Sequence, residues 1–202
     1  MIGKYLVLEG IDGSGTSTLL SGLQAALESA GIRVHFAAQP SDHGAGVLAR
    51  SYLRQPLHEE FERAALALFF AADRLELRRE FIQALARGEW VICDRSVLSS
   101  LVYQGSELDE EWVALINRYA LPADLTFLLD LPAEVSWERI ATRGAERERF
   151  EVLETLGVLR KRYLEAARSF PTPVRLIDAT QRPEDVLEAC LRTLRERGWL
   201  RQ

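Results

Sequence analysis

The stretch Gly10-Ile11-Asp12-Gly13-Ser14-Gly15-Thr16-Ser17-Thr18 holds the residue types that bind a phosphate chain. It follows a short apolar run, Tyr5 to Leu8, and leads into a helical pattern opening at Thr16. A strand passing through a glycine-rich turn into a helix N-terminus presents several backbone N–H groups to an anion. The helix dipole adds about half a positive charge there. The full phosphate-loop pattern is G-x-x-x-x-G-K-[ST]. Gly10, Gly15 and Ser17 fit it, but position 16 is Thr rather than Lys. Ser17 keeps a hydroxyl for Mg²⁺, whereas Thr16 brings no charge to β- and γ-phosphates. The plainer reading of the same residues is a tight turn between a strand and a helix.

Three further groupings carry chemistry. Asp94-Arg95 closes an apolar run, and charges so placed need partners. Either they pair structurally, or Arg95 grips a phosphate while Asp94 holds a Mg²⁺-bound water or a second arginine. Phe70 and Arg74 stand four residues apart on a helical pattern and so share a face. A flat ring with an arginine one turn on suits a nucleobase and its polar edge; a core aromatic is the alternative. Arg143, Arg147 and Arg149 flank a glycine between two helical segments. That run is either a solvated charged face or a lid closing guanidiniums over a transferring phosphoryl group.

The elements that must position these groups alternate. Short apolar strands are expected near residues 5–8, 33–38, 89–93, 125–130 and 174–178. Helices are expected at 16–30, after Val47 up to Pro56, and at 60–87, 98–104, 109–119, 133–142, 150–170 and 183–197. Residues 40–46 read as a loop. In the 60–87 helix, Ala65, Leu68, Phe69, Ala72, Leu75 and Phe81 mark the apolar face, and Val47, Leu48 and Leu53 mark that of its predecessor. The alternation predicts an α/β fold with a parallel sheet, whose ligands bind at the carboxyl ends of the strands. Residues 10–17, 39–42, 94–95 and 178 then fall along one rim.

At 202 residues one domain is expected, residues 1–202. A net charge of −5 argues against nonspecific nucleic-acid binding. Cys93 and Cys190 are far apart and make no metal pattern, and the three histidines suggest none. No apolar stretch reaches the ~20 residues of a membrane span, and no signal peptide is read, so a cytoplasmic enzyme is expected.

Together the segments resemble the thymidylate kinases over nearly the whole chain. Leu8-Glu-Gly-Ile-Asp-Gly-Ser-Gly15 resembles their phosphate loop, and Phe70-Ala-Ala-Asp-Arg74 their nucleoside-binding helix. The most specific match is Val91-Ile-Cys-Asp-Arg95 with Ser99-Ser100 and Tyr103-Gln-Gly105; Leu129-Asp-Leu-Pro132 and Arg160 to Ala166 continue it. The resemblance implies a five-stranded parallel sheet flanked by helices, a short lid at about 143–150, a homodimer, and phosphorylation of dTMP by ATP with Mg²⁺. It implies that Phe70 stacks on thymine and Arg74 bonds the base edge, with Ser100 and Gln104 near the base. Tyr103 would lie against the deoxyribose, Asp12 would meet the 3′-hydroxyl or a phosphate-binding arginine, and Arg95 would hold the acceptor phosphate. Ser17, with Asp94, would serve Mg²⁺. Residues 10–18 would take the ATP phosphates, and catalytic arginine would come from the lid, from Arg149, Arg143 or Arg147.

The chain departs from that family at Thr16. It also has Ala38 and Gln39 where the family often has Arg and Glu, and Ser96 where a tyrosine often follows Asp-Arg. Two phosphate-facing positive charges are thus missing. Two other functions stay open at this point. One is a nucleotide-binding pseudokinase. The other is a deoxynucleoside kinase, against which Gln39 weighs because such enzymes need a carboxylate base there.

Overall fold

The computed structural model describes residues 2–142 and 153–201. Five parallel strands form one sheet in the order β2-β3-β1-β4-β5: β1 Tyr5–Gly10, β2 Val34–Ala38, β3 Trp90–Asp94, β4 Leu125–Asp130 and β5 Val174–Asp178. The α/β expectation holds. The helices are α1 Thr16–Ser29, α2 Gly44–Leu53, α3 Glu60–Ala86, α4 Val97–Tyr103, α5 Glu110–Ile116, α6 Ala133–Thr142, α7 Leu153–Ser169 and α8 Pro183–Glu196.

Strand β1 lies at the centre with all six residues buried, between β3 and β4. Its side chains alternate between two cores. Leu6 and Leu8 join Leu23, Leu27, Ile92, Phe127 and Leu194 under α1 and α8. Tyr5 and Val7 pack with Leu77, Phe81 and Val91 under α3. By the same alternation Glu9 follows Val7 and turns toward α4, where it is fully buried. The sheet switches direction at β1, with β3 and β2 to one side and β4 and β5 to the other. The crevice at such a switch is where an open α/β sheet takes its ligand.

Two expectations need correction. The loop read over 40–46 ends earlier: Gly44 to Gly46 already belong to α2. Gly46 is there for contact, not for turning, since a Cβ on it would stand 2.2 Å from the Ser41 carbonyl oxygen. The predicted apolar faces of α2 and α3 also differ from the buried ones. Phe81 is buried as expected, but Val47, Leu48, Leu68 and Leu75 are exposed, while Ala49, Ala67, Ala71, Asp73, Arg74 and Leu77 are buried. Helix α3 mixes apolar and charged residues around its whole circumference, so periodicity alone selects no unique face. The polar pair Asp73 and Arg74 is turned inward because partners await it there.

Candidate active site

The loop after β1 is built to leave N–H groups free. Gly13 and Gly15 take φ of 77° and 97°, a region glycine enters without strain. A Cβ on Gly13 would meet the Ser136 carbonyl oxygen at 2.9 Å, so helix α6 also needs glycine there to approach. Helix α1 starts without a side-chain cap. Among the described residues, nothing accepts from the backbone N–H groups of Thr16, Ser17 and Thr18. Unsatisfied amides converging at a helix N-terminus suit an anion. Helix α6 braces the loop: Ser136 Oγ donates to the Asp12 carbonyl oxygen, and Arg139 spans from the Gly13 carbonyl oxygen at 3.5 Å to that of Ala179, after β5, at 3.0 Å. Ser17 and Thr18 are exposed at the mouth of the loop.

Thr16, standing where a lysine is usual, donates through Oγ1 to Asp94 Oδ2 at 3.1 Å. Burial pushes the Asp94 carboxyl up, while Arg95 and the Thr16 hydroxyl hold it down. Its other oxygen, Oδ1, is buried without a partner.

Arg95 and Asp94 do not pair with each other. Arg95 adopts φ 66°, a left-handed conformation that costs energy outside glycine and clusters at functional sites. Its Nη2 donates to Asp12 Oδ1. Its Nη1 lies 3.2 Å from Tyr103 Oη and 3.3 Å from Tyr163 Oη. Burial pushes the Tyr103 phenol up to about 12, so it stays neutral beside the guanidinium. Beneath them, Glu9 accepts from the Ser96 and Ser99 amides at 2.8 and 3.2 Å, from Ser99 Oγ at 2.5 Å and from Tyr163 Oη at 3.1 Å. A strand carboxylate thereby caps helix α4, which starts without a side-chain cap of its own.

Arg74 is buried, which lowers its guanidinium to about 10. Nη1 donates to Asn117 Oδ1 at 2.6 Å, and Nη2 to the Ser96 carbonyl oxygen at 3.0 Å and Ser100 Oγ at 2.6 Å. Nε is buried and unpartnered. Asp12, Phe70, Arg74, Arg95, Ser100, Tyr103 and Gln104 all line one cleft of about 200 Å³, beside Gln39, Pro40, Arg50 and Leu53. A second cleft, of about 320 Å³, opens on the other side of the loop between Gly15, Thr18, Arg139, Thr142 and Gln181. Asp178, placed on the rim by sequence, is occupied locally and accepts from Thr180 and Gln181. Arg143, Arg147 and Arg149 lie outside the described residues.

Among the described residues, the buried side-chain polar atoms lacking a partner include Ser14 Oγ, Gln39 Oε1, Arg74 Nε and Asp94 Oδ1. These four ring the loop and the first cleft. Buried polar groups are normally satisfied, so together they describe a place for a polar ligand with both acceptors and donors. No three His, Cys, Asp or Glu side chains converge as a metal cage among the described residues. Mg²⁺ needs no such cage, since it is usually held by one or two side chains and substrate phosphates. The exposed Ser17 hydroxyl and the unpartnered Asp94 oxygen fit that donor set.

Sequence reasoning missed Glu9, Tyr163, Arg50, Arg139 and Gln181. Glu9 had a signal, a carboxylate at the end of an all-apolar strand. Tyr163 lies within the Arg160 to Ala166 segment, and Arg50 and Gln181 follow rim segments by a few residues, but only the fold shows which way each is turned.

The Thymidylate kinase family model matches residues 8–190. A protein of Pyrococcus horikoshii called "Probable thymidylate kinase" is 38% identical over 191 residues, covering 92% of this chain and 93% of its own. A "Thymidylate kinase" of Chromohalobacter salexigens is 36% identical over 204 residues, covering 96% of each. A "Probable thymidylate kinase" of Methanothermobacter thermautotrophicus is 42% identical over 168 residues, covering 81% and 80%. With matches of this extent on a five-stranded parallel sheet carrying a phosphate loop, the chain belongs to the thymidylate kinase family of nucleoside monophosphate kinases.

Proposed function

We propose that the chain transfers the γ-phosphoryl group of ATP to dTMP, giving ADP and dTDP with Mg²⁺ present. What carries this reading is the set of unpartnered buried polar atoms at the glycine loop and at a cleft whose lining includes seven expected residues scattered from Asp12 to Gln104. In it, Phe70 stacks on the thymine, and the free Nε–H of Arg74 meets a carbonyl on the base edge. Ser100 and Gln104 complete that edge. Tyr103 excludes a 2′-hydroxyl, and Arg95, steadied by Asp12, takes the acceptor phosphate. The glycine loop, through the free amides of Thr16, Ser17 and Thr18, takes the ATP phosphates, and the second cleft takes the adenosine end.

An acceptor phosphate oxygen attacks the γ-phosphorus in line as the bond to the ADP oxygen breaks. No protein nucleophile is needed, and no strong base, because a phosphate monoester with a second pKa of about 6 is largely ionised at neutral pH. Ser17 and Asp94 would hold Mg²⁺, which neutralises phosphate charge when bound. Arg149, Arg143 and Arg147 supply the charge that Thr16 does not.

We further propose a homodimer, because Phe61, Leu68, Leu75 and Ile82 are exposed at seven-residue spacing along α3, next to exposed Val47 and Leu48 of α2. A seven-residue apolar repeat is the seam two helices share. We place the enzyme in the cytoplasm as a single domain; no described helix is long and apolar enough to cross a membrane.

The test is ADP release measured across nucleoside monophosphates and thymidine. Saturable, dTMP-dependent turnover is expected. Absence of turnover with every monophosphate, from folded and Mg²⁺-supplied protein, refutes the proposal.

A further inference from the structure

Resting on the thymidylate reading, we infer that Arg50 is a phosphate-binding residue of the acceptor cleft, supplying from α2 the guanidinium that Ala38 lacks. Ala38 ends β2 in register with Asp94, immediately before the cleft-lining Gln39, and its methyl group holds no anion.

Arg50 is delivered there by close packing. Neither Ser41 N nor Ser41 O leaves room for a Cβ on Gly46, at 2.6 and 2.2 Å, so α2 lies hard against the loop after β2. That loop is itself pinned, because buried Asp73 accepts from the Ser41 amide at 2.9 Å and from its hydroxyl. Arg50 follows Gly46 by four residues and therefore shares its helix face. Both Arg50 and Leu53 line the cleft.

The three arginines of the cleft differ in how firmly they are held. Arg74 is fixed by Asn117, Ser96 and Ser100, and Arg95 by Asp12 and two tyrosines. Arg50 donates to the Pro40 carbonyl oxygen at 2.6 Å and to Asp42 at 2.5 Å. The Asp42 side chain is fully exposed, and an ion pair with so hydrated a partner is worth little. A phosphate dianion in the cleft displaces it readily. Charge also balances: among the described residues the cleft is lined by three guanidiniums and one carboxylate, Asp12, an excess of two positive charges. That matches an ionised acceptor phosphate; without Arg50 the cleft falls one short.

The experiment is titration calorimetry of dTMP and of thymidine, without ATP, on the unmodified chain and on Arg50→Gln, Arg50→Gln with Ala38→Arg, and Asp42→Asn. Loss of a charge-assisted contact predicts dTMP affinity lower by about 10- to 100-fold in Arg50→Gln. Thymidine, lacking the phosphate, stays within about twofold and reports that the cleft is folded. Ala38→Arg restores much of the loss, and Asp42→Asn tightens dTMP by removing the competitor. Equal losses for both ligands, or no loss for either, overturn the assignment. Failure of the unmodified chain to bind dTMP overturns instead the thymidylate reading on which it stands.

Discussion

Glu9 is a carboxylate with no exposure at the end of the central strand, and its replacement separates acceptor chemistry from mere volume. It receives four hydrogen bonds, two from backbone amides and two from hydroxyls. In Glu9→Gln the remaining oxygen can serve the Ser96 and Ser99 amides, while the new NH₂ faces hydroxyls able to accept. The loss is then the poorer fit of one hydrogen bond, about 1 kcal/mol. In Glu9→Leu the hydroxyls of Ser99 and Tyr163 still bond each other at 2.8 Å, but both amides are stranded at about 1–3 kcal/mol each. A loss near 4 kcal/mol follows. At about 2–4 °C per kcal/mol for a chain of this length, Tm falls by roughly 2–4 °C for Gln and 8–16 °C for Leu.

The pH dependence supplies a second signature. Burial raises the Glu9 carboxyl, with the Ser99 hydrogen bond opposing. The folded chain therefore holds this proton more tightly than the unfolded chain. The resulting stabilisation is full below the ordinary glutamate range and is lost as pH rises through the raised folded value. Gln does not titrate, so the advantage of the native residue over Gln must shrink with rising pH across that window. Calorimetric unfolding from acid to neutral pH measures both effects. Equal destabilisation by Gln and Leu, or a Glu–Gln difference that grows with pH, would show that the acceptor argument is wrong.

Two further outcomes follow from the site and the surface. In Thr16→Lys an ammonium meets Asp94 where a hydroxyl now donates. If lid arginines already supply the charge, kcat changes by less than about tenfold, against the 10²–10³ that one transition-state donor is worth; steady-state ADP release decides, and a larger gain means the native loop lacks a needed cation. Leu75→Asp places a charge in the exposed seven-residue stripe of α3. Light scattering should show dimers becoming monomers with the far-UV spectrum retained, and an unchanged mass would remove that stripe from the interface.

Much of this molecule is written locally in its sequence. Strands such as Leu125–Asp130 and the glycine loop are set by short-range chemistry: apolar runs, and glycines where φ must be positive. Phe70 and Arg74 share a face by spacing because helix periodicity carries over a few residues, and Asp94 and Arg95 stand out as charges closing an apolar run. Long-range contact decided the rest. Glu9 caps a helix 87 residues further along, and Asp73 pins a loop 32 residues earlier. Gly46 reads as a turn residue in the sequence, whereas in the fold it makes room for the backbone of Ser41. The buried face of α3 could not be read from hydrophobicity, because its inward side holds an aspartate and an arginine whose partners lie on other elements. Burial of a charge is favourable only where distant groups converge to satisfy it, and only the folded chain brings those groups together.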